Sequence, residues 1–164
     1  MTQLKYFILL CISILSTALS AQSAQKEFNQ ISFKDLPALN VAATQGVSGH
    51  FAGMSGNALI VAGGCNFPST PAAEGGSKTF YNNILVLDNP LSSHSEWKQM
   101  GALPQGLAYG ASVSLPQGVL TIGGTSDGKT AEKAVRLLAL KKGKIDIITL
   151  AELPIPLEQH TAAY

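Results

Sequence analysis

Gly46–Gly64 reads GVSGHFAGMSGNALIVAGG, and Gly106–Gly124 reads GLAYGASVSLPQGVLTIGG. The two align without a gap. Each opens on glycine, passes through small residues, turns on polar ones, climbs a strand of β-formers and closes on Gly-Gly. A chain that repeats itself at this spacing is built from one supersecondary unit used more than once.

The segments that follow each copy complete the unit. After the first come YNNILVLD (81–88) and EWKQM (96–100); after the second come AVRLLALK (134–141) and KIDIITL (144–150). All are rich in strand formers and are bounded by turn residues. AVRLLALK has helical propensity, but it is short and lies between a Gly-containing loop and the KKGK turn, so it reads as a strand. Each copy then holds four strands, the first being SGHFAGM (48–54) or YGASVSL (109–115). Small residues in that first strand suit a place where backbones crowd together. Four strands per unit with a double glycine in each is a kelch pattern, and such units pack radially as blades of an all-β propeller.

Two echoes extend the pattern. MGALPQGLAYG (100–110) and LAELPIPLEQH (150–160) share their Leu-Pro, and ISFKDLPALN (31–40) resembles the strand and Leu-Pro that close the other units. The expected organisation is a closing outer strand at 31–40, a blade at 41–104, a blade at 105–154 and the start of a third at 155–164. Six blades at this repeat need on the order of 300–360 residues, against the 164 present. The chain is therefore expected to be the N-terminal part of a longer ring, with the remaining blades as its partners and little stability as an isolated monomer.

The N-terminus carries a different signal. Lys5 is followed by a nearly all-apolar run, Tyr6 to Leu15, and then by STALSAQSA (16–24). That is the layout of a secretory leader, and the run is too short for a membrane span of roughly 20 residues. Residues 1–21 are expected to be a cleaved signal peptide and 22–30 a linker, which gives a periplasmic or secreted protein with no retained membrane anchor. Cleavage removes Cys11 and leaves Cys65 as the one thiol, expected as a small buried hydrophobe beside a strand end. Eleven basic residues nearly cancel ten acidic ones, so nucleic acid and anionic membranes are not expected partners.

GVSGHFAGMSGNALIVAGGCNFP, FYNNILVLD and LAYGASVSLPQGVLTIGG together resemble the kelch-type N-acetylneuraminate epimerases, and more closely their cyclically permuted mutarotase branch. The resemblance implies a six-bladed periplasmic propeller that interconverts the anomers of sialic acid. Two positions depart from the family pattern. The unpermuted relatives tend to carry Arg where this chain has Leu107 and Glu where it has Thr125. The family's catalytic carboxylate follows a glycine and precedes an arginine. No such pair occurs here, so the catalytic residues are unassigned and expected beyond Tyr164.

Opening and reclosing a sugar ring takes a base for the anomeric hydroxyl and an acid for the ring oxygen, and a sugar carboxylate invites a cationic clamp. The sole arginine, Arg136, lies mid-strand, away from the expected site. Strand parity brings four kinds of loop to one mouth: the entries to the first strands, Cys65 to Tyr81, TSDGKTAEK (125–133) and Glu158 to His160. The Cys65–Tyr81 loop exceeds what a hairpin needs, which suits either function or simple mobility. Expected substrate contacts are His50, Phe51, Asn66, Tyr109 and His160. No metal and no cofactor are expected, since no closely spaced ligand set occurs. A non-catalytic propeller that binds glycan or protein is the rival reading.

Overall fold

The computed structural model describes residues 31–39 and 46–164. The leader and linker expectations lie outside them. The chain divides into two compact units, Met1–Asp35 and Leu36–Tyr164; of the first, only 31–35 are described, and they hold no regular element.

Among its described residues the second unit is all-β apart from one 3-10 turn, Ala72–Glu74. Its strands are β1 (Phe51–Ser55), β2 (Ala58–Ala62), β3 (Cys65–Asn66), β4 (Thr79–Phe80), β5 (Asn83–Asp88), β6 (Trp97–Ala102), β7 (Ala111–Leu115), β8 (Gly118–Ile122), β9 (Val135–Lys141) and β10 (Lys144–Thr149). They form two four-stranded antiparallel sheets, β1-β2-β5-β6 and β7-β8-β9-β10, each in chain order, plus the small β3-β4 pair. The sequence repeat is thus a structural repeat. AVRLLALK is a strand: Lys142 and Gly143 both take positive φ, 49° and 73°. A two-residue type I′ hairpin turn requires that at both central positions, and it pairs β9 with β10 from Lys141↔Lys144 onward.

The described part of the expected closing strand, 31–39, forms no strand within this chain, and the blade it is expected to complete lies outside the 164 residues. A strand persists only with a ladder partner, and Pro37 has no N–H to give one. What this stretch supplies is an acceptor, the Pro37 carbonyl, 2.8 Å from Trp97 Nε1 on β6.

The core lies between the sheets. Phe51, Ile60, Ile84 and Val86 of the first meet Val119 and Leu138 of the second, with Leu103 and Leu107 from the connection filling the gap. The facing edges also lock together. Gly53 of β1 would place a Cβ 2.9 Å from both Val119 Cγ1 and Ser114 Oγ, so only hydrogen fits there. Ser112 and Ser114 of β7 then reach the free backbone of β1. Ser112 Oγ accepts from Ala52 N (3.1 Å) and donates to Ala52 O (2.8 Å), while Ser114 Oγ accepts from Met54 N (2.9 Å). Alternate serines satisfy an edge that would otherwise be exposed for pairing.

The double glycines are the joints. Gly63 and Gly64 have φ 65° and 97°, and Gly123 and Gly124 have 60° and 103°, a region that side chains disfavour. In each pair the first amide bonds within its own unit, Gly63 N to Asn83 O (3.0 Å) and Gly123 N to Ala134 O (2.8 Å). The second reaches into the next repeat, Gly64 N to Leu107 O and Gly124 N to Leu157 O, both 2.8 Å. A Cβ on Gly63 or Gly123 would collide with that same Leu107 or Leu157 carbonyl. The chain repeats its wording because each joint between units needs the same two glycines.

Candidate functional site

The residue at the corner before each repeat's first strand is left-handed: Gly49 at φ 63°, Tyr109 at 62° and, in the third copy, Gln159 at 51°. These corners are bonded head to tail. Tyr109 N donates to Gly49 O at 2.7 Å, and Gln159 N donates to Tyr109 O at 2.6 Å. For tyrosine this conformation costs about 1–2 kcal/mol, and it persists where the surroundings over-determine it. Backbone bonds hold Tyr109 on both sides, and its ring lies over Gly49, where a Cβ would stand 2.6 Å from Cδ1.

The connection after the first Gly-Gly packs beside this corner. β3 and β4 pair Cys65↔Phe80 and Asn66↔Thr79. Between them the chain turns through Ala72–Glu74 and is drawn closed by Gly76 N bonding to Pro71 O at 3.1 Å. The loop borders an open cavity of about 550 Å³ walled by Val47, Ser48, Cys65, Asn66, Phe67 and Ser69, among others. Continuing the β3-β4 register sets Phe67 opposite Lys78. The Lys78 ammonium sits 5.4 Å from the Phe67 ring centroid and 4.9 Å from that of Tyr109, and donates to Tyr109 Oη at 3.0 Å. That hydrogen bond, first among the causes, raises the lysine above its ordinary pKa of 10.5.

Of the residues expected to touch substrate, the structure brings Asn66 and Tyr109 to this region. Asn66 is half-buried in the cavity wall and held at both ends: Nδ2 donates to Gly46 O and Oδ1 accepts from Tyr81 Oη, each at 2.8 Å. His50 is exposed, with its Cβ beside Gly64. Phe51 is a correction. It is 1% exposed and belongs to the hydrophobic core. As the first residue of β1 its side chain points between the sheets and its ring reaches Gly110. His160 lies against Gly123, and both its ring nitrogens, with Glu158 Oε2, are enclosed with no hydrogen-bond partner among the described residues.

Lys78 was not among the expected contacts. Its signal was the β3-β4 register, invisible in a loop read only by its length. Cys65 is buried as expected, its thiol 3.7 Å from Ser48 Oγ. Leu107 and Thr125, the two departures from the family pattern, are both buried: Leu107 in the core, Thr125 at the root of the second loop.

That second loop is tied by its own side chains. Asp127 accepts from the amides of Lys129 and Thr130, both at 2.8 Å, and from Thr125 Oγ1 at 3.0 Å. The amide of Thr130, followed by that of Lys129, holds the carboxylate at about 2, below the ordinary 3.8. No cluster of three or more metal-ligating side chains occurs among the described residues.

Fold and site define a class: an all-β protein of consecutive four-stranded antiparallel units, with an open cavity and an aromatic-seated cation beside their bonded corners. The sequence model of the N-acetylneuraminate epimerase family matches residues 15–147. The chain belongs to the N-acetylneuraminate epimerase family. It is 40% identical over 118 residues to the N-acetylneuraminate epimerase of Vibrio vulnificus, covering 69% of this chain and 31% of that one. It is 39% identical over 109 residues to the Brucella suis enzyme of the same name, covering 63% and 28%. Among solved structures it resembles that titled "Structure of YjhT", with a TM-score of 0.63 and 30% identity over 73% of this chain and 35% of that one. The chain therefore spans about three-tenths of the length of the curated relatives it matches.

Proposed function

We propose that this chain contributes two consecutive blades, and the corner of a third, to an exported kelch-type β-propeller of about six blades that interconverts the anomers of N-acetylneuraminate. The head-to-tail chain of left-handed corners, Gly49 to Tyr109 to Gln159, carries this reading. Bonds of this kind between successive corners are what a propeller's inner strands would make around a channel. The family membership and the relatives' names supply the sugar. The leader pattern at 1–21 supports export.

In this reading His50, Asn66, Tyr109 and His160 face the sugar, and aromatic rings stack on its apolar faces. The acid and base come from blades outside the chain, because the Lys78–Tyr109 region holds no carboxylate–arginine pair. A positioned acid or base gives roughly 10²–10⁴-fold. The test is NMR of anomer exchange after sialic acid is released in one form. The full-length protein accelerates exchange, and residues 1–164 by themselves do not. An unchanged spontaneous rate with the full-length protein defeats the proposal. Sugar binding without acceleration would instead assign a glycan-binding propeller.

A further inference from the structure

The geometry points to Lys78, seated between Tyr109 and Phe67, as the binding point for the carboxylate of an acidic sugar. The inference rests on the function proposed above for the identity of the ligand, and it names a contact that family membership does not supply.

Four observations converge. The exposed Lys78 side chain has three neighbours at its head: Tyr109 Oη accepts one of the ammonium protons at 3.0 Å, and two aromatic rings lie within 5.4 Å. An ammonium carries three donors. The Tyr109 hydroxyl is its one hydrogen-bond partner among the described residues. Two N–H groups therefore remain, together with the Tyr109 O–H, which accepts from lysine and keeps its own proton to give. These donors are offered together to an acceptor with two oxygens. Next, the platform is preorganised. Tyr109 is clamped in a left-handed corner by bonds to Gly49 and from Gln159, and the β3-β4 pair presents Lys78 opposite Phe67. Finally, the platform borders the cavity, since Phe67 is both part of its wall and a seat for the ammonium.

The chemistry fits the ligand. In N-acetylneuraminate the carboxylate is bonded directly to the anomeric carbon, so holding it fixes the reacting centre one bond away. A charge-assisted hydrogen bond is shorter and stronger than a neutral one. Arg136, the alternative cation by residue type, stands mid-strand in β9 between Thr121 and Thr149.

Calorimetric titration of the full-length protein with N-acetylneuraminate and with its methyl ester tests this. The acid is expected to bind about tenfold more tightly than the ester, the size of one hydrogen bond to a charged group. Lys78→Gln should erase the preference and Lys78→Arg keep most of it. Tyr109→Phe, which retains both rings but removes the hydroxyl that holds the ammonium and donates beside it, should reduce the acid preference by a smaller factor than Lys78→Gln. Equal affinity for acid and ester in the unaltered protein, or a preference that survives Lys78→Gln, overturns the inference. Anomer exchange is read separately. Acceleration without an acid preference leaves the proposed function standing and removes Lys78. A Lys78-dependent preference without acceleration does the reverse.

Discussion

After its Gly-Gly, each of the two sheets sends the chain out through a loop before the third strand, and the two loops could hardly be more unlike. The first, from Cys65 to Asn82, adds a strand pair and a 3-10 turn, borders an open cavity and carries a cation to the corner tyrosine. The second, from Thr125 to Ala134, is short and folds on itself around Asp127. The joints beneath them are the same to within a few degrees of φ. Duplication thus preserved what holds units together and left the connections free to differ. Binding chemistry collects where a rigid joint supports an unequal loop.

That division is open to attack first at the scaffold. Phe51 heads β1 next to His50, yet it is a core residue. Phe51→Ala should cost about 3–5 kcal/mol by emptying the space between the sheets, measured by urea unfolding of the full-length protein. Phe51→Leu refills much of that space and should leave sugar affinity unchanged. A Phe51→Leu protein of near-normal stability that no longer bound sugar would return the ring to the site.

The joints come next. Gly123→Ala places a methyl against the Leu157 carbonyl in a left-handed backbone, and should cost about 3 kcal/mol from strain and overpacking together. Gly56→Ala is the control. Its φ is 60°, but nothing lies within 4 Å of the added carbon, so the backbone term of about 1 kcal/mol is all it pays. Equal losses would mean that Gly-Gly serves turn geometry and not the contact between repeats.

The scaffold was legible because its signals are local and said twice. Gly-Gly, the KKGK turn and the alternating strand formers each have a fixed backbone meaning, and all eight main strands fall where the pattern puts them. Phe51 is not legible as a core residue from its place at the mouth of the blade: parity of the loops does not say which of two adjacent side chains turns inward, and β1 buries Phe51 while His50 stays outside. Lys78 was missed for another reason. Its neighbours are Phe67, eleven residues earlier, and Tyr109 in the following repeat, and only the fold of the Cys65–Asn82 loop brings them together. The 31–39 stretch resembles a strand in composition, and the edge it would pair with is not in this chain.

The smallest expected effect lies in the second loop and asks whether it is held by charge. Asp127 has a depressed pKa, so whatever its hydrogen bonds add to the folded state is present above the unfolded-state value of about 3.9. That contribution is lost as pH falls through the folded value of about 2. The amides of Lys129 and Thr130 report this directly, since both donate to Asp127 Oδ1. Their NMR shifts should be flat from pH 7 to about 4 and then move together with a midpoint near 2. Asp127→Asn keeps an acceptor but cannot titrate, so its shifts should stay flat to the acid limit, with the loop only slightly loosened. The Asn66 side-chain amide, in the first loop, bonds to a backbone carbonyl and a tyrosine hydroxyl and should not follow the same curve. If the Lys129 and Thr130 amides titrate near 4 instead, the carboxylate is not what ties the second loop, and the contrast between a loop that borders a cavity and a loop that closes on itself loses its physical basis.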